Sequence, residues 1–317
     1  MPRTFERIGI LGLGLIGGSL LRAVHATGRD CWGYDADPGT LEAAGMDGFE
    51  IATSTRDAAE DADLLVLAMP LPQVPDALVE LDGWMHRDAV LTDVGTLKQP
   101  VAEAVAKFVP GTRFIGGHPL AGTELSGWRA SDETLFDAAP WSLTLDPPVD
   151  LDNWLGVARL VCDVGGHPVP TTAAEQDEAV ARVIGLPHVL AETLALTGLA
   201  GGPLGLSLAA GSYVTGSRVA RTRPDLVATW CDGNEALVGA LDEVISRLDA
   251  TRTALVEGGS VLPLAQDGHA ARMNWEARAV RAVRVPADVE ALSAHGRAGG
   301  WITAVDPDDV IHGMLPA

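Results

Sequence analysis

A single histidine lies in a glycine-rich stretch that directly follows an apolar run. The stretch GGHPLAGTELSG at 116–127 contains His118, with Pro119 next to it. An imidazole can bind or release a proton near neutral pH, and glycines let the backbone approach a ligand closely. His118 is therefore a candidate for proton transfer beside a bound ligand.

Two further residues carry polar groups in apolar surroundings. Arg218 is the first charged residue after the 25-residue uncharged stretch 193–217. An arginine in such a place commonly binds a carboxylate through two of its nitrogens, although a surface arginine on a helix fits the same pattern. His188, in GLPHVL, interrupts an apolar helical pattern. A histidine there is also common in a core or an interface.

The segment RIGILGLGLIGGSLLRAV at 7–24 has the pattern of a dinucleotide-binding loop. An apolar strand leads into three glycines spaced GxGxxG, and a helical pattern follows. The first glycine makes the tight turn, the second admits a pyrophosphate, and the third packs the helix on the strand. The helix N-terminus offers free N–H groups to the phosphates. The predicted cofactor contacts of this loop are Gly12, Gly14, Leu15, Ile16 and Gly17.

An acidic residue follows the next predicted strand. Asp35 ends DCWGYD and lies 23 residues after Gly12, where a carboxylate would accept hydrogen bonds from the adenosine ribose diol. No arginine follows until Arg56, so nothing nearby would bind a 2′-phosphate. We predict NAD rather than NADP, with a helix cap or a turn as the alternative role for Asp35.

Strands alternate with helices throughout the first half. Apolar strands lie within the segments 62–70, 88–98 and 112–119, and each strand is followed by a loop and helical sequence. This pattern predicts an α/β, doubly wound (Rossmann-like) parallel sheet, with 140–148 and 165–172 as its last strands. We assign residues 1–170 to this dinucleotide-binding domain. Thr96 and His118 follow strand ends, and should border the cofactor crevice.

The second half has helical periodicity. Residues 171–284 are predicted to form an all-helical substrate and dimerisation domain, whose apolar faces favour a homodimer. The uncharged stretch 193–217 is long enough to span a bilayer, but its glycines and proline favour a buried helical hairpin. Residues 285–317 form a short C-terminal extension that could add a strand.

Charge and cysteine content indicate which partners and which compartment suit the chain. The net charge is −21, which disfavours nucleic acid and anionic membrane surfaces. The three cysteines are widely spaced, which fits a reducing cytosol and neither a zinc site nor a disulfide framework. The N-terminus enters an apolar strand at once and does not read as a signal peptide. We expect a cytoplasmic protein without a metal.

The chain resembles the prephenate/arogenate dehydrogenase family of tyrosine biosynthesis, particularly the forms of high-GC Gram-positive bacteria. The matching stretches run in family order over about residues 7–280. They are GLGLIGGS (12–19), LTDVGTLK (91–98), GGHPLAGTELSGW (116–128), GLPHVLAE (185–192) and GSRVA (216–220).

The resemblance implies an oxidative decarboxylation of a cyclohexadienol with NAD⁺ as hydride acceptor. His118 would accept a hydrogen bond from the C4 hydroxyl and act as general base, with a pKa near the usual ~6.5. Thr96 stands where the family usually has serine, and its hydroxyl would orient His118. Arg218 would bind a substrate carboxylate, and His188 would line the same pocket.

Two departures from the family pattern leave the substrate open between prephenate and arogenate, with a dual-specificity cyclohexadienyl dehydrogenase as a third case. The family often has His-Asp where this chain has Gln176-Asp177, and Ser-His-Leu-Pro-His where it has IGLPH, with Gly185. By resemblance these positions lie near the substrate side chain. The 285–317 tail is too short for the regulatory domain that some relatives append.

Two rival functions share the predicted fold. A β-hydroxyacid dehydrogenase would need a lysine on a helix of the second half, but no lysine follows Lys107. A non-catalytic NAD-binding dimer would not need His118, Thr96 and Arg218 together. We therefore predict prephenate dehydrogenase activity.

Overall fold

The computed structural model describes residues 3–123 and 125–317, and these fall into two compact units. The first unit comprises Met1–Gln176 and Ala282–Leu315, and the second comprises Asp177–Arg281 and Pro316–Ala317. The division lies six residues after the boundary expected from sequence. The tail, expected to be an extension, belongs almost entirely to the first unit.

The first unit contains a parallel six-stranded sheet of order β3-β2-β1-β4-β5-β6. Its strands are β1 (Arg7–Leu11), β2 (Asp30–Tyr34), β3 (Glu50–Ile51), β4 (Leu64–Leu67), β5 (Val90–Asp93) and β6 (Arg113–Ile115). The helices between them are α1 (Leu15–Ala26), α2 (Pro38–Met46), α3 (Thr55–Glu60), α4 (Val74–Leu81) and α5 (Gln99–Phe108), with a 3₁₀ turn at Leu71–Gln73. This order confirms the predicted Rossmann-like fold.

Each face of this sheet is covered by an apolar cluster. Successive residues of β4 alternate between them: Leu64 and Val66 belong to one cluster, whereas Leu65 and Leu67 belong to the other. All four side chains are buried. A strand buried on both faces is a continuous apolar run rather than an alternating one, which explains the sequence of β4.

The two strands predicted to end the parallel sheet lie elsewhere. β7 (Gly117–Pro119), β8 (Pro140–Thr144) and β9 (His167–Thr171) form a separate three-stranded sheet, with α6 (Leu151–Asp163) between β8 and β9. A 3₁₀ turn at Trp128–Ala130 precedes β8. The pairing of β7 with β8 is antiparallel and that of β8 with β9 is parallel, and neither β8 nor β9 pairs with a strand of the six-stranded sheet.

The tail folds into more than the single strand expected. α14 (Val289–Arg297), β11 (Trp301–Val305) and β12 (Ile311–Pro316) lie in the tail and form a sheet of order β10-β12-β11 with β10 (Val280–Val285). β10 lies almost wholly in the segment 171–284, so the prediction of an all-helical segment is wrong at its end. Arg159 on α6 donates hydrogen bonds to the carbonyls of Val305 and Asp306, at 3.1 and 2.9 Å. These bonds fasten the tail to the first unit.

The second unit is helical, as predicted. α7 (Ala173–Val180) spans the division between units and continues through a π-helical turn, Ala181–Gly185. The remaining helices are α8 (Leu186–Ala200), α9 (Gly202–Ser207), α10 (Gly211–Gly216), α11 (Pro224–Cys231), α12 (Glu235–Val256) and α13 (Leu262–Glu276), with a 3₁₀ helix at Arg218–Arg221.

The predicted buried hairpin at 193–217 is wrong for the single chain. Leu199, Leu204 and Leu208 are 62%, 73% and 74% exposed, because no other element of the second unit covers these side chains. The helical run Ala173–Ala200 is long and apolar enough, by length and composition alone, to cross a membrane. In its most apolar 18-residue segment, 17% is buried. Core helices of soluble proteins share this length and composition.

Candidate active site

The loop between β1 and α1 has the geometry that a dinucleotide requires. Gly12 has φ +98, and a Cβ there would lie 2.4 Å from the Ala68 carbonyl oxygen. A Cβ on Gly17 would lie 1.9 Å from the Gly12 oxygen, so both glycines are needed for packing. Gly14 instead borders open space. It is the N-cap of α1 and provides no side-chain cap, which leaves first-turn N–H groups for a phosphate.

Asp35 lies beside this loop, as the sequence predicts. Its Oδ2 accepts a hydrogen bond from Leu13 N at 2.7 Å, and its Oδ1 accepts one from Asp37 N at 2.8 Å. The carboxylate is partly exposed and retains lone pairs for a ribose diol. Asp37 caps α2, and a 2′-phosphate would meet two carboxylates here. The site therefore fits NAD.

His118 lies in β7 and is only 6% exposed. Its Nδ1 is 2.8 Å from Nε2 of Gln176. Burial, with a smaller contribution from the charge of Lys98, lowers the pKa of His118 to about 3. The ring is therefore neutral at physiological pH, and its pKa lies well below the value near 6.5 expected from sequence.

A buried ion pair fixes the backbone next to His118. Lys98 Nζ donates hydrogen bonds to Asp93 Oδ2 and, at 2.6 Å, to the Gly117 carbonyl. Asp93 Oδ1 accepts from Gly117 N at 3.1 Å. Lys98 and Asp93 are 0% and 2% exposed. Burial raises the pKa of Asp93, and the Lys98 ammonium opposes this effect.

The glycines that precede His118 serve this packing. A Cβ on Gly116 would lie 3.1 Å from the Thr144 side chain and 3.2 Å from that of Lys98. A Cβ on Gly117 would lie 2.7 Å from the Asp93 carbonyl oxygen. The glycines therefore let β7 lie close to β5 and β8, which is a different reason from the ligand approach expected from sequence.

The other two predicted residues lie in the second unit. His188 on α8 is 8% exposed and packs on the Trp230 ring at 5.0 Å between centroids. Its buried Nδ1 has no hydrogen-bond partner in the described part of the chain. Arg218 is exposed at the start of a 3₁₀ helix. Within residues 3–123 and 125–317, it forms no ion pair.

Burial, two charged groups and one backbone hydrogen bond shift the pKa of His188. Burial lowers its pKa, Glu192 raises it, Arg218 lowers it, and a hydrogen bond to the Val219 backbone raises it. Glu192 is one helical turn after His188, on the same face of α8. The second unit therefore places an imidazole, a guanidinium and a carboxylate near one another.

Sequence reasoning missed two parts of this site. Gln176 was noted as a departure near the substrate side chain, but it binds His118. The Lys98–Asp93 pair was not predicted, although a lysine five residues after an aspartate in the apolar LTDVGTLK is a usable signal. Thr96 contributes its carbonyl oxygen, 3.5 Å from Gln176 Nε2, and the orienting role of its hydroxyl stays a prediction. Among the described residues, no group of three or more His, Cys, Asp or Glu could hold a metal.

The fold and the nucleotide loop define an oxidoreductase with a Rossmann-type dinucleotide-binding unit. Residues 20–170 match the family model "Prephenate dehydrogenase, nucleotide-binding domain". A solved structure from Corynebacterium glutamicum, assigned as a prephenate dehydrogenase, is 38% identical with a TM-score of 0.80, and the match covers 86% of this chain and 90% of that one. This chain belongs to the prephenate dehydrogenase family.

Two more relatives extend this likeness. The cyclohexadienyl dehydrogenase of Zymomonas mobilis is 29% identical over 287 residues, which cover 85% of this chain and 96% of the relative. The prephenate dehydrogenase of A. aeolicus, solved with hydroxyphenyl propionate and NAD⁺, is 25% identical with a TM-score of 0.78. That match covers 86% of this chain and 99% of the other.

Proposed function

We propose that this protein oxidises prephenate to 4-hydroxyphenylpyruvate with NAD⁺ and releases CO₂. The observation that carries the proposal is the buried, neutral His118 in a unit whose glycine loop and Asp35 fit NAD. The relatives named for prephenate and cyclohexadienyl substrates support it. NAD⁺, when bound, supplies the hydride acceptor.

His118 is the proposed acceptor of the C4 hydroxyl proton. Its imidazole is neutral because burial lowers its pKa to about 3, so it has a lone pair available to the substrate at pH 7. The same burial disfavours the imidazolium that forms on proton transfer. Prephenate carries two carboxylates, and their negative charge would offset this penalty. We expect the proton to move only when the substrate is bound.

Arg218 and His188 are the proposed substrate-binding groups. Arg218 is exposed and without an ion pair among the described residues, so its guanidinium can form two hydrogen bonds to a carboxylate. His188 has a buried Nδ1 without a hydrogen-bond partner among the described residues, and a buried polar atom normally has one. A ligand would provide it.

The test of the function is NADH formation with prephenate. Turnover by the wild-type protein is expected, with kcat reduced about 10²–10⁴-fold in His118→Asn, the usual contribution of a positioned base. NAD⁺ affinity should stay unchanged. Arg218→Ala should chiefly raise KM for prephenate. Wild-type protein that binds NAD⁺ without oxidising any cyclohexadienol would be a binding protein instead.

Arogenate is a second candidate substrate, and Glu192 favours it. Arogenate carries an ammonium where prephenate carries a keto group. The Glu192 carboxylate is close enough to His188 to raise its pKa, and it has no ion-pair partner among the described residues. An unpaired carboxylate near an unpaired guanidinium matches an α-amino acid group. If Glu192 binds this ammonium, Glu192→Gln will lower kcat/KM for arogenate and leave that for prephenate unchanged.

The protein is also proposed to be a cytoplasmic homodimer without a nucleic-acid or membrane partner. The three cysteines are free thiols, as in reducing compartments. The second unit exposes many large apolar side chains, which a second copy could cover. They include Leu190, Leu194, Leu196, Leu199, Leu204, Leu206, Leu208, Val214, Ile245, Leu248, Leu255 and Trp275.

A further inference from the structure

The side chain that binds His118 is an amide rather than an ionisable group. Nε2 of Gln176 lies 2.8 Å from His118 Nδ1, and Gln176 is 5% exposed. Water is therefore largely excluded from this hydrogen bond. The residues are 58 positions apart, so the bond connects α7 to β7 and restrains the imidazole ring.

The orientation of that amide decides which ring nitrogen carries the proton. With Nε2 of Gln176 towards Nδ1, the amide donates, and a neutral imidazole carries its proton on its own Nε2. His118 could then donate at Nε2 but could not take a proton there. A half turn of the amide places Oε1 at the same separation. Nδ1 then donates to Gln176, and the lone pair is at His118 Nε2.

Little in the surroundings opposes this half turn. The other contact of the amide nitrogen is the Thr96 carbonyl oxygen at 3.5 Å, the outer limit of a hydrogen bond. Two pairs of charged groups on the packed elements bind each other rather than the amide. Lys98 binds Asp93, and Glu175, the residue before Gln176, binds Arg297.

We propose that Gln176 is a positioning residue that fixes the ring of His118 and, by accepting from Nδ1–H through Oε1, selects the tautomer with a free lone pair on Nε2. The inference rests on the proposed function, since only a base needs that lone pair. A neutral amide does this without adding a negative charge beside the ring. A carboxylate would select the same tautomer but favour the imidazolium.

Two substitutions separate these effects. Gln176→Glu preserves acceptance from Nδ1–H and adds charge, so the acid limb of the kcat/KM pH profile should move to higher pH. Gln176→Leu removes the bond. We expect kcat to fall about 10–10³-fold with KM for prephenate nearly unchanged, less than the ~10⁴-fold effect known where the orienting group is a buried carboxylate. The control is Gln266→Glu, the same change at an exposed position in the second unit.

The tautomer itself is measured without catalysis, by ¹⁵N NMR of histidine-labelled protein, with His118→Asn to assign the signal. A proton on Nδ1 in the wild type, retained in Gln176→Glu and lost in Gln176→Leu, supports the proposal. A proton on Nε2 in the wild type overturns it, and so does Gln176→Leu with wild-type kcat and pH profile. Inactivity of the wild type towards every cyclohexadienol would refute the proposed function, while the NMR result would still report on Gln176.

Discussion

At the scale of single residues, Lys98 and Asp93 form a fully buried ion pair at the end of β5. Desolvation makes such a pair costly to form, yet removal of one partner leaves an uncompensated charge in the interior. Here the pair also holds both backbone groups of Gly117, the residue before His118. Its role is thus to place the strand that carries the imidazole.

Replacement of Lys98 by Met should destabilise the first unit by about 3–5 kcal/mol, because Asp93 loses its cation while it stays buried. Urea unfolding at pH 7 measures the change. Lys107→Met, at an exposed position on α5, is the matched control and should unfold like the wild type. Equal stability of all three proteins would contradict a structural role for the pair.

The pKa of His118 also predicts how stability depends on pH. Its folded-state pKa of about 3 lies below the unfolded value near 6.5, so the unfolded chain binds the proton first. The contribution of His118 to the free energy of unfolding is fully present above pH 6.5 and is lost as the pH falls towards 3. Between pH 7 and pH 5 the loss should be about 2 kcal/mol, at ~1.4 kcal/mol per pH unit.

This contribution is measured as a difference between two proteins. The free energy of unfolding is measured in urea for the wild type and for His118→Asn, at pH 7 and at pH 5. The contribution of the other histidines cancels in the difference between the two proteins. The wild type should lose more stability on acidification. His269→Asn, an exposed histidine, should behave as the wild type does. Parallel losses in all variants would mean that His118 is not buried as a neutral ring.

At the scale of elements, the β1–α1 turn contains glycines that serve different purposes. Nearby backbone atoms leave no room for a side chain at Gly12 or Gly17, whereas a Cβ on Gly14 meets nothing within 4 Å. The φ of Gly14 is −70, which any residue can adopt. Packing therefore does not explain the glycine at position 14, and we propose that the approach of a ligand to the helix N-terminus does.

A side chain at position 14 should therefore affect binding much more than folding. Gly14→Val is expected to lower Tm only slightly, because valine is a poorer N-cap than glycine, and to raise the Kd for NAD⁺ tenfold or more, about 1.4 kcal/mol. Calorimetry measures both quantities. Gly17→Ala should behave in the opposite way and lower Tm, because its Cβ overlaps the Gly12 oxygen. Normal NAD⁺ affinity in Gly14→Val would place the cofactor elsewhere.

At the scale of the whole molecule, the two units differ in how well they cover their apolar residues. The first unit buries two continuous clusters around its sheet. The described residues of the second unit bury only a few large apolar side chains and leave many leucines exposed on α8, α9 and α12. Exposed apolar surface of this extent is typical of an interaction site.

We propose that a homodimer through the second unit accounts for this asymmetry. Sedimentation velocity should give twice the mass of the chain for the wild type. A charge in the exposed surface, as in Leu199→Glu combined with Leu204→Glu, should produce monomers or aggregates. Val79→Glu, at a residue 57% exposed in the first unit, should remain dimeric. A monomeric wild type at micromolar concentration would refute the dimer.

The sequence by itself determined the features that depend on neighbours along the chain. The glycine loop, the acidic residue 23 positions later and the alternation of strands and helices are local patterns, and each strand's apolar run reports its burial. They predicted the Rossmann-like sheet and the NAD preference. His118 was selected as a candidate in the same way, as a histidine directly after a strand in a glycine-rich stretch.

Only the tertiary structure decided which distant groups meet. The bond between Gln176 and His118 joins residues 58 positions apart, and nothing in the local sequence indicates the partner. The low pKa of His118 follows from burial, which is a property of the packed unit. Likewise, the hydrophobic pattern of 193–217 does not predict its exposure. A helix buried within its own chain and a helix that another chain covers have the same apolar pattern. Local sequence sets the elements, but contacts between elements set the chemistry of the site.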